Sequence, residues 1–254
     1  MPNHPQAPAA EVPGVHNLLL VETDPPPLTD EQTAVLSRMW GEAVAANPGL
    51  FDGPTVVCAG LDRKAPDTWL LTWYRTTYRR YLLRQHPEHA APAPSLFVSV
   101  AQPTTDGRLL VGRMAATTAA PGRWQLPGGT IEPPPQGEPL DMDALRRHAA
   151  RELTEEIGHT LPPEDLTLWS VTRGNHGNVG LHFRAPACPV DALAASYSQL
   201  VSAETARNRT PELDRIAFIR SPEDLPDLGG PTADFLPVLA ARHATASSSQ
   251  EGPR

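Results

Sequence analysis

Apolar positions along the chain change their period several times, and these changes divide it. Residues 1–27 hold no sustained period, because MPNHPQAPAAEVPG and TDPPP carry prolines that fit neither a helix interior nor a central strand. Within that tail only the VHNLLLV patch at 15–21 is apolar enough to pack, as an arm. Thr29 and Gln32 then form a capping-box pattern, and Leu36, Met39, Trp40, Ala43 and Val44 follow at helical spacing until Asn47-Pro48-Gly49 stops the helix. Two short strand-like runs come next, at 55–59 and 68–72, and the spacing of Tyr74, Tyr78, Tyr81 and Leu82 predicts a second helix ending before Pro87.

From residue 94 the pattern tightens. Apolar runs at 95–101 and 108–114, joined by Thr104-Thr105-Asp106-Gly107, predict a strand pair. Trp124-Gln125-Leu126 leads into Pro127-Gly128-Gly129, and a proline-rich loop at 130–142 opens into a helix from about Asp143 to Ile157, stopped by Gly158. Strands are expected at 166–172 and 180–184 around a polar turn at 173–178, then a polar, irregular insertion at 187–213 and a last strand at 215–219. Thr232 is expected to cap a final helix carrying Phe235, Leu236, Val238 and Leu239. The division is a proline-rich tail or arm at 1–27, an accessory α+β segment at 28–93, a core domain at 94–243 and a disordered tail at 244–254.

Composition narrows the class. Among 254 residues, 21 Lys and Arg face 29 Asp and Glu, a formal charge of −8. That balance argues against broad nucleic-acid binding, which needs basic surface to neutralise phosphates. No apolar run approaches the ~20 residues of a membrane span, and no basic–apolar–small signal pattern opens the chain. A cytoplasmic protein is the expectation. Cys58 and Cys188 are too far apart for a CxxC zinc site or a disulfide framework. Lys64 is the only lysine, a bias that runs the length of the chain and reads as coding bias rather than selection for phosphate contacts.

The segment that carries chemistry is Arg151-Glu152-Leu153-Thr154-Glu155-Glu156-Ile157-Gly158. On a helix, positions 152, 155 and 156 bring three carboxylates to one face, beside an apolar stripe of Leu145, Ala149, Leu153 and Ile157. Like charges this close repel, and the cluster is relieved when divalent cations neutralise it. Oxygen-only ligands suit Mg²⁺ or Mn²⁺. Such a cation keeps part of its shell for substrate phosphates, which implies a polyphosphate or diphosphate ester as substrate.

These residues match the signature G-x5-E-x7-R-E-U-x-E-E-x-G-U (U apolar) at Gly137, Asp143, Arg151, Glu152, Leu153, Glu155 and Glu156, and a Leu-Pro-Gly-Gly leads in at 126–129. Over about residues 94–240 the chain resembles a Nudix hydrolase. Gly158 falls where the signature places its second glycine; the chain departs in having Asp143 where the family has Glu and His159 at the final apolar position. Gly137 satisfies the literal spacing, but Gly129 stands in the Leu-Pro-Gly-Gly context, which places an insertion of about eight residues in the loop. The resemblance implies an α/β/α sandwich with a mixed sheet and a hydrolase acting on phosphorus-containing anhydrides. It implies Glu152 and Glu156 as main metal ligands and Glu155 completing the site directly or through water. Gly129 takes the structural and metal-carbonyl role, and Arg151 orients the carboxylates. The general base varies in the family; Glu212 is the candidate, with Glu204 its rival.

Arg113, Arg123, Arg173, His182 and Arg184 lie on or beside predicted core strands and are candidates for phosphate or sugar contacts. Trp124 is a candidate for base stacking, and His148 reads as structural. Leu50-Phe51-Asp52-Gly53-Pro54 and Trp73-Tyr74-Arg75 resemble the leading segment of the UDP-sugar pyrophosphatase branch. This favours a nucleoside diphosphate linked to a second group over a triphosphate, with a non-catalytic binding protein as the rival class. A small-molecule nucleotide is the expected partner, and the family resemblance makes a homodimer plausible.

Overall fold

The computed structural model describes residues 9–85, 94–174 and 177–248. Its elements run β1 (Ala10–Glu11), β2 (Asn17–Glu22), α1 (Asp30–Ala46), β3 (Pro54–Ala65), β4 (Thr68–Thr77), β5 (Leu96–Ala101), β6 (Leu109–Met114), β7 (Trp124–Gln125), α2 (Met142–Ile157), β8 (Thr167–Arg173), β9 (Val179–Arg184), α3 (Val190–Ala206), β10 (Leu213–Ile219) and α4 (Leu236–Ser248). The strands form three sheets, ordered β1-β8-β9-β5, β10-β6-β7 and β2-β4-β3. Pairing is mixed, with β5–β9 and β2–β4 parallel and the remaining named pairs antiparallel. With helices packed on these sheets, the fold is of the α/β class expected.

The first helix starts where the capping box puts it: the Thr29 hydroxyl accepts from Gln32 N, and Gln32 returns its side chain to the Thr29 amide. The apolar patch at 15–21 is strand β2, paired in parallel with β4. Strand β3 joins the N-terminal sheet to the rest, because Cys58 N donates to Pro94 O (2.9 Å) and Val56 N to Ile131 O (3.2 Å). One buried apolar cluster accordingly runs from Val56, Leu71 and Trp73 through Leu96 and Val98 to Leu145 and Leu153.

Three expectations fail for physical reasons. The predicted helix over Tyr74–Leu82 is instead strand β4 as far as Thr77, followed by a 3-10 segment at Tyr78–Gln85. Trp73, Tyr74, Thr76 and Thr77 are aromatic and β-branched residues that favour a pleated, half-buried surface, and β3 pairs along their whole length. The stretch expected as an irregular insertion contains helix α3, whose alanines favour the helix while it fully buries Leu193 alone. Thr232 caps no helix: it bridges to Trp124, and α4 begins at Leu236. That helix reaches Ser248, into the stretch expected as a disordered tail; the residues beyond it, and Asn175 and His176 of the predicted turn, lie outside the described ones.

Candidate active site

Helix α2 is delimited by its own sequence. The Asp141 side chain accepts from Ala144 N (2.8 Å), and Gly158 closes the far end in the left-handed region at φ 72°. The stripe of Leu145, Ala149, Leu153 and Ile157 is fully buried and faces β5. The helix is thereby fixed against the Pro127-Gly128-Gly129 turn, which lies along β5 through Val100 N to Pro127 O (2.8 Å) and Val98 N to Gly129 O (3.0 Å).

The two glycines are required by what surrounds them. Gly128 has φ +151°, and a Cβ there would lie 2.2 Å from Val98 O; a Cβ on Gly129 would lie 2.5 Å from Glu152 Oε2. Glu156, one turn further along the helix, is 2% exposed, and its Oε2 accepts the Gly128 N–H at 2.8 Å. Its other oxygen is buried with no hydrogen-bond partner among the described residues. Burial raises the Glu156 pKa well above the usual carboxylate range, and the negative charges of Glu212, Glu152 and Glu155 add to this against the opposing Gly128 hydrogen bond.

The other acids lean on basic neighbours. Glu152 Oε1 is 3.1 Å from His148 Nε2 and 3.7 Å from Arg151 Nη2, and Glu155 Oε2 is 3.9 Å from Arg151 Nε. Arg151 also lies 3.5 Å from Glu132 on the proline loop and hydrogen-bonds His148 Nδ1 at 3.1 Å. His148, read from sequence as structural, thus touches both a charged helix partner and a candidate ligand. Among the described residues no three such side chains converge in ready-made metal geometry. The buried, partnerless Glu156 oxygen and the mutual repulsion of the acids nevertheless fit an oxygen-ligated divalent cation. The Gly129 carbonyl, expected to serve that cation, accepts one hydrogen bond from Val98 N, which leaves its second lone pair.

A cavity of about 350 Å³ opens beside the glycine turn, lined among others by Phe97, Ser99, Arg123, Gln125, Gly128, Gly129, Glu212 and Asp234. Glu212 is exposed as a residue but lines this cleft, and desolvation and then the charges of Glu152 and Glu155 raise its pKa. Its rival Glu204 sits instead on α3, ion-paired to Arg209 (2.7 Å) and Arg207 (3.3 Å), with the Arg209 hydrogen bond lowering its pKa. Arg123 reaches the cavity, donates to Gln125 Oε1 (2.8 Å) and keeps a buried Nε without a hydrogen-bond partner among the described residues. Burial lowers its pKa against the pull of Asp234.

The remaining candidates lie elsewhere. His182 is fully buried between Ser99 Oγ (2.7 Å) and Thr172 Oγ1 (2.8 Å), and Trp124 is buried with Nε1 donating to Gly229 O (2.8 Å). Arg113 pairs with Asp214 at 2.7 Å across the β6–β10 ladder. Arg184 stacks on Trp169 (5.6 Å), and Arg173 is exposed at the end of β8, one residue before the cavity-lining Gly174. Sequence reading missed Phe97, Phe235 and Asp234. The two ring centroids lie 5.3 Å apart with the planes tilted by 35°, and more than a hundred positions separate Phe97 from the other two, so no local spacing announces them.

The model of the NUDIX domain matches residues 94–239. The MutT protein of Methanosarcina mazei is similar in structure at 17% identity, covering 63% of this chain and 97% of that one with a TM-score of 0.40. The NUDIX domain of Shewanella oneidensis NrtR, solved with ADP ribose, matches at 17% identity over 67% of this chain and 98% of its own, TM-score 0.38. A bifunctional NMN adenylyltransferase/ADP ribose pyrophosphatase from Francisella tularensis matches at 14% identity, over 68% and 45% of the two chains, TM-score 0.38. No curated protein matches in sequence. Because the family match spans more than half of the chain and takes in the acidic helix and glycine turn described above, the chain belongs to the Nudix family of pyrophosphohydrolases.

Proposed function

We propose that this protein hydrolyses the diphosphate linkage of a nucleoside diphosphate joined to a second group, releasing a nucleoside monophosphate, with Mg²⁺ or Mn²⁺ bound at Glu152, Glu155 and Glu156. The observation that carries the reading is the buried Glu156 oxygen left without a partner, on a helix face with two further carboxylates, held to the glycine turn that lines a cleft. A divalent cation bound there neutralises phosphate charge and acidifies a water. Glu156 fixes the ligand set to the glycine turn through Gly128 N–H. Gly129 serves by its missing side chain, which lets Glu152 close on the turn. Arg151 and His148 orient Glu152.

Glu212 lines the same cleft and takes the proton of the attacking water. Its raised pKa brings it toward the working pH that a general base needs. Arg123 holds the substrate's phosphate or sugar, and the Phe97–Phe235 pair offers an aromatic apolar wall to a base. The net charge of −8 favours a diphosphate ester over a more highly charged triphosphate.

The test is a panel of nucleotide sugars, dinucleotides and nucleoside triphosphates with Mg²⁺ or Mn²⁺, with products identified by phosphorus NMR. The expected products are a nucleoside monophosphate and a phosphorylated second group. A kcat/KM for triphosphates well above that of every nucleotide sugar and dinucleotide contradicts the choice of substrate.

A further inference from the structure

A second cavity, of about 370 Å³, lies where the proline loop folds against α2. Pro133, Pro134, Pro135 and Pro139 make its loop wall, and Arg147, His148 and Arg151 line its helix side. The charges here are unevenly engaged. Glu132 lies 3.5 Å from Arg151, and Glu138 is exposed on the loop. Arg146, the neighbour of Arg147, is held by Asp143 (2.7 Å) and donates to Leu166 O (3.1 Å). Arg147 makes no hydrogen bond or ion pair among the described residues. His148, 9% exposed, keeps its Nε2 without a well-formed hydrogen bond although Glu152 is 3.1 Å away.

Glu152 touches a wall residue of each cavity. Its Oε2 lies against Gly129, in the wall of the first, and its Oε1 lies against His148, in the wall of the second. Along the chain the border is equally narrow, since Thr130 lines the first cavity and Ile131 the second. The α2 carboxylates that would hold a diphosphate thus neighbour residues that line both cavities.

We infer that the second cavity receives the group on the far side of the diphosphate, and that this group carries an anionic substituent, a phosphate or a carboxylate, read by Arg147. The inference rests on the proposed hydrolysis and narrows its substrate class. A cavity of this volume falls in the range that small ligands occupy. Prolines hold its wall in few conformations, which lowers the ordering cost of binding. A guanidinium without a partner is a planar fork that matches either anion in bidentate fashion, whereas a neutral sugar leaves it unanswered.

The test compares two matched pairs: NADPH against NADH, which differ by one ribose phosphate, and UDP-glucuronate against UDP-glucose, which differ by one carboxylate. Hydrolysis is measured with Mg²⁺ on the wild-type chain and on Arg147→Glu and Arg146→Ala. Binding of the same four compounds is measured by calorimetry in the Glu156→Gln background, so that affinity is read without turnover. The expected result is a preference of about fivefold, the scale of one exposed charge contact, for the charged member of at least one pair. It shows in KM and in the binding constant, inverts in Arg147→Glu and persists in Arg146→Ala; which pair responds tells phosphate from carboxylate. Equal hydrolysis within both pairs, or a preference that Arg147→Glu leaves intact, overturns the inference while the diphosphate reading stands. If none of the four is cleaved, the hydrolysis reading fails for these substrates, and the binding preference still decides the role of Arg147. Binding of none of them overturns both.

Discussion

Glu156 holds a carboxylate in a place where a negative charge is costly, with one oxygen on the Gly128 amide and the other without a hydrogen-bond partner among the described residues. Without divalent cations, Glu156→Gln keeps the shape and removes the charge, so the thermal midpoint at neutral pH should rise, on the order of 5 °C. Scanning calorimetry in EDTA checks this, and a lowered midpoint contradicts it. His182 gives the opposite kind of pH dependence. Burial pushes its pKa down to about 3 from the usual 6.5. The unfolded chain therefore takes up a proton that the folded protein refuses, so this stability is complete above about pH 6.5 and is lost progressively as pH falls toward 3. Denaturant unfolding between pH 7 and 4 should show that decline, and His182→Gln should flatten it; an unchanged slope in the variant rules it out. The three α2 acids were legible because helical spacing alone puts them on one face. The burial of His182 and the Trp124 bond to Gly229 were not, since both depend on chain segments that no local pattern brings together.

Helix α2 was readable as an element because its ends and its buried stripe are written locally. Asp141→Ala should cost about 1 kcal/mol in denaturant unfolding, the usual loss of an N-cap, and no loss would mean that packing alone sets the helix start. Helix α3 hid for the converse reason: it fully buries only Leu193, so its apolar stripe was too thin to see. The proline loop is tied to the N-terminal sheet, since Arg75 donates to Pro134 O and pairs with Glu22 at 2.7 Å. An exposed pair of this kind adds little to global stability, but it holds one wall of the second cavity. Arg75→Ala should leave the unfolding free energy within about 1 kcal/mol and speed amide exchange at residues 131–138. Unchanged exchange there would show that Val56 N and Thr55 Oγ1, which both reach Ile131 O, suffice to hold the loop.

Across the whole molecule, the N-terminal strands and the Nudix region share one apolar cluster, and β3 hydrogen-bonds to the start of the proline loop. Reading by composition separated a 28–93 segment from the core, because proline-rich stretches punctuate the sequence; the packing across that border depends on β3 meeting Pro94 and Ile131, contacts that no local pattern shows. No helix among the described residues is long and apolar enough to cross a membrane. The carboxylate face of α2, set by that shared core against the glycine turn, is the centre on which the proposed chemistry depends. The most direct test is turnover of the best nucleotide-sugar or dinucleotide substrate by wild type and Glu156→Gln, with Mg²⁺ and in excess EDTA. The expected result is a loss of kcat on the order of 10³-fold in Glu156→Gln, with the far-ultraviolet circular dichroism unchanged, and no activity of the wild type in EDTA. Near wild-type turnover by the variant, or full activity in EDTA, would contradict it.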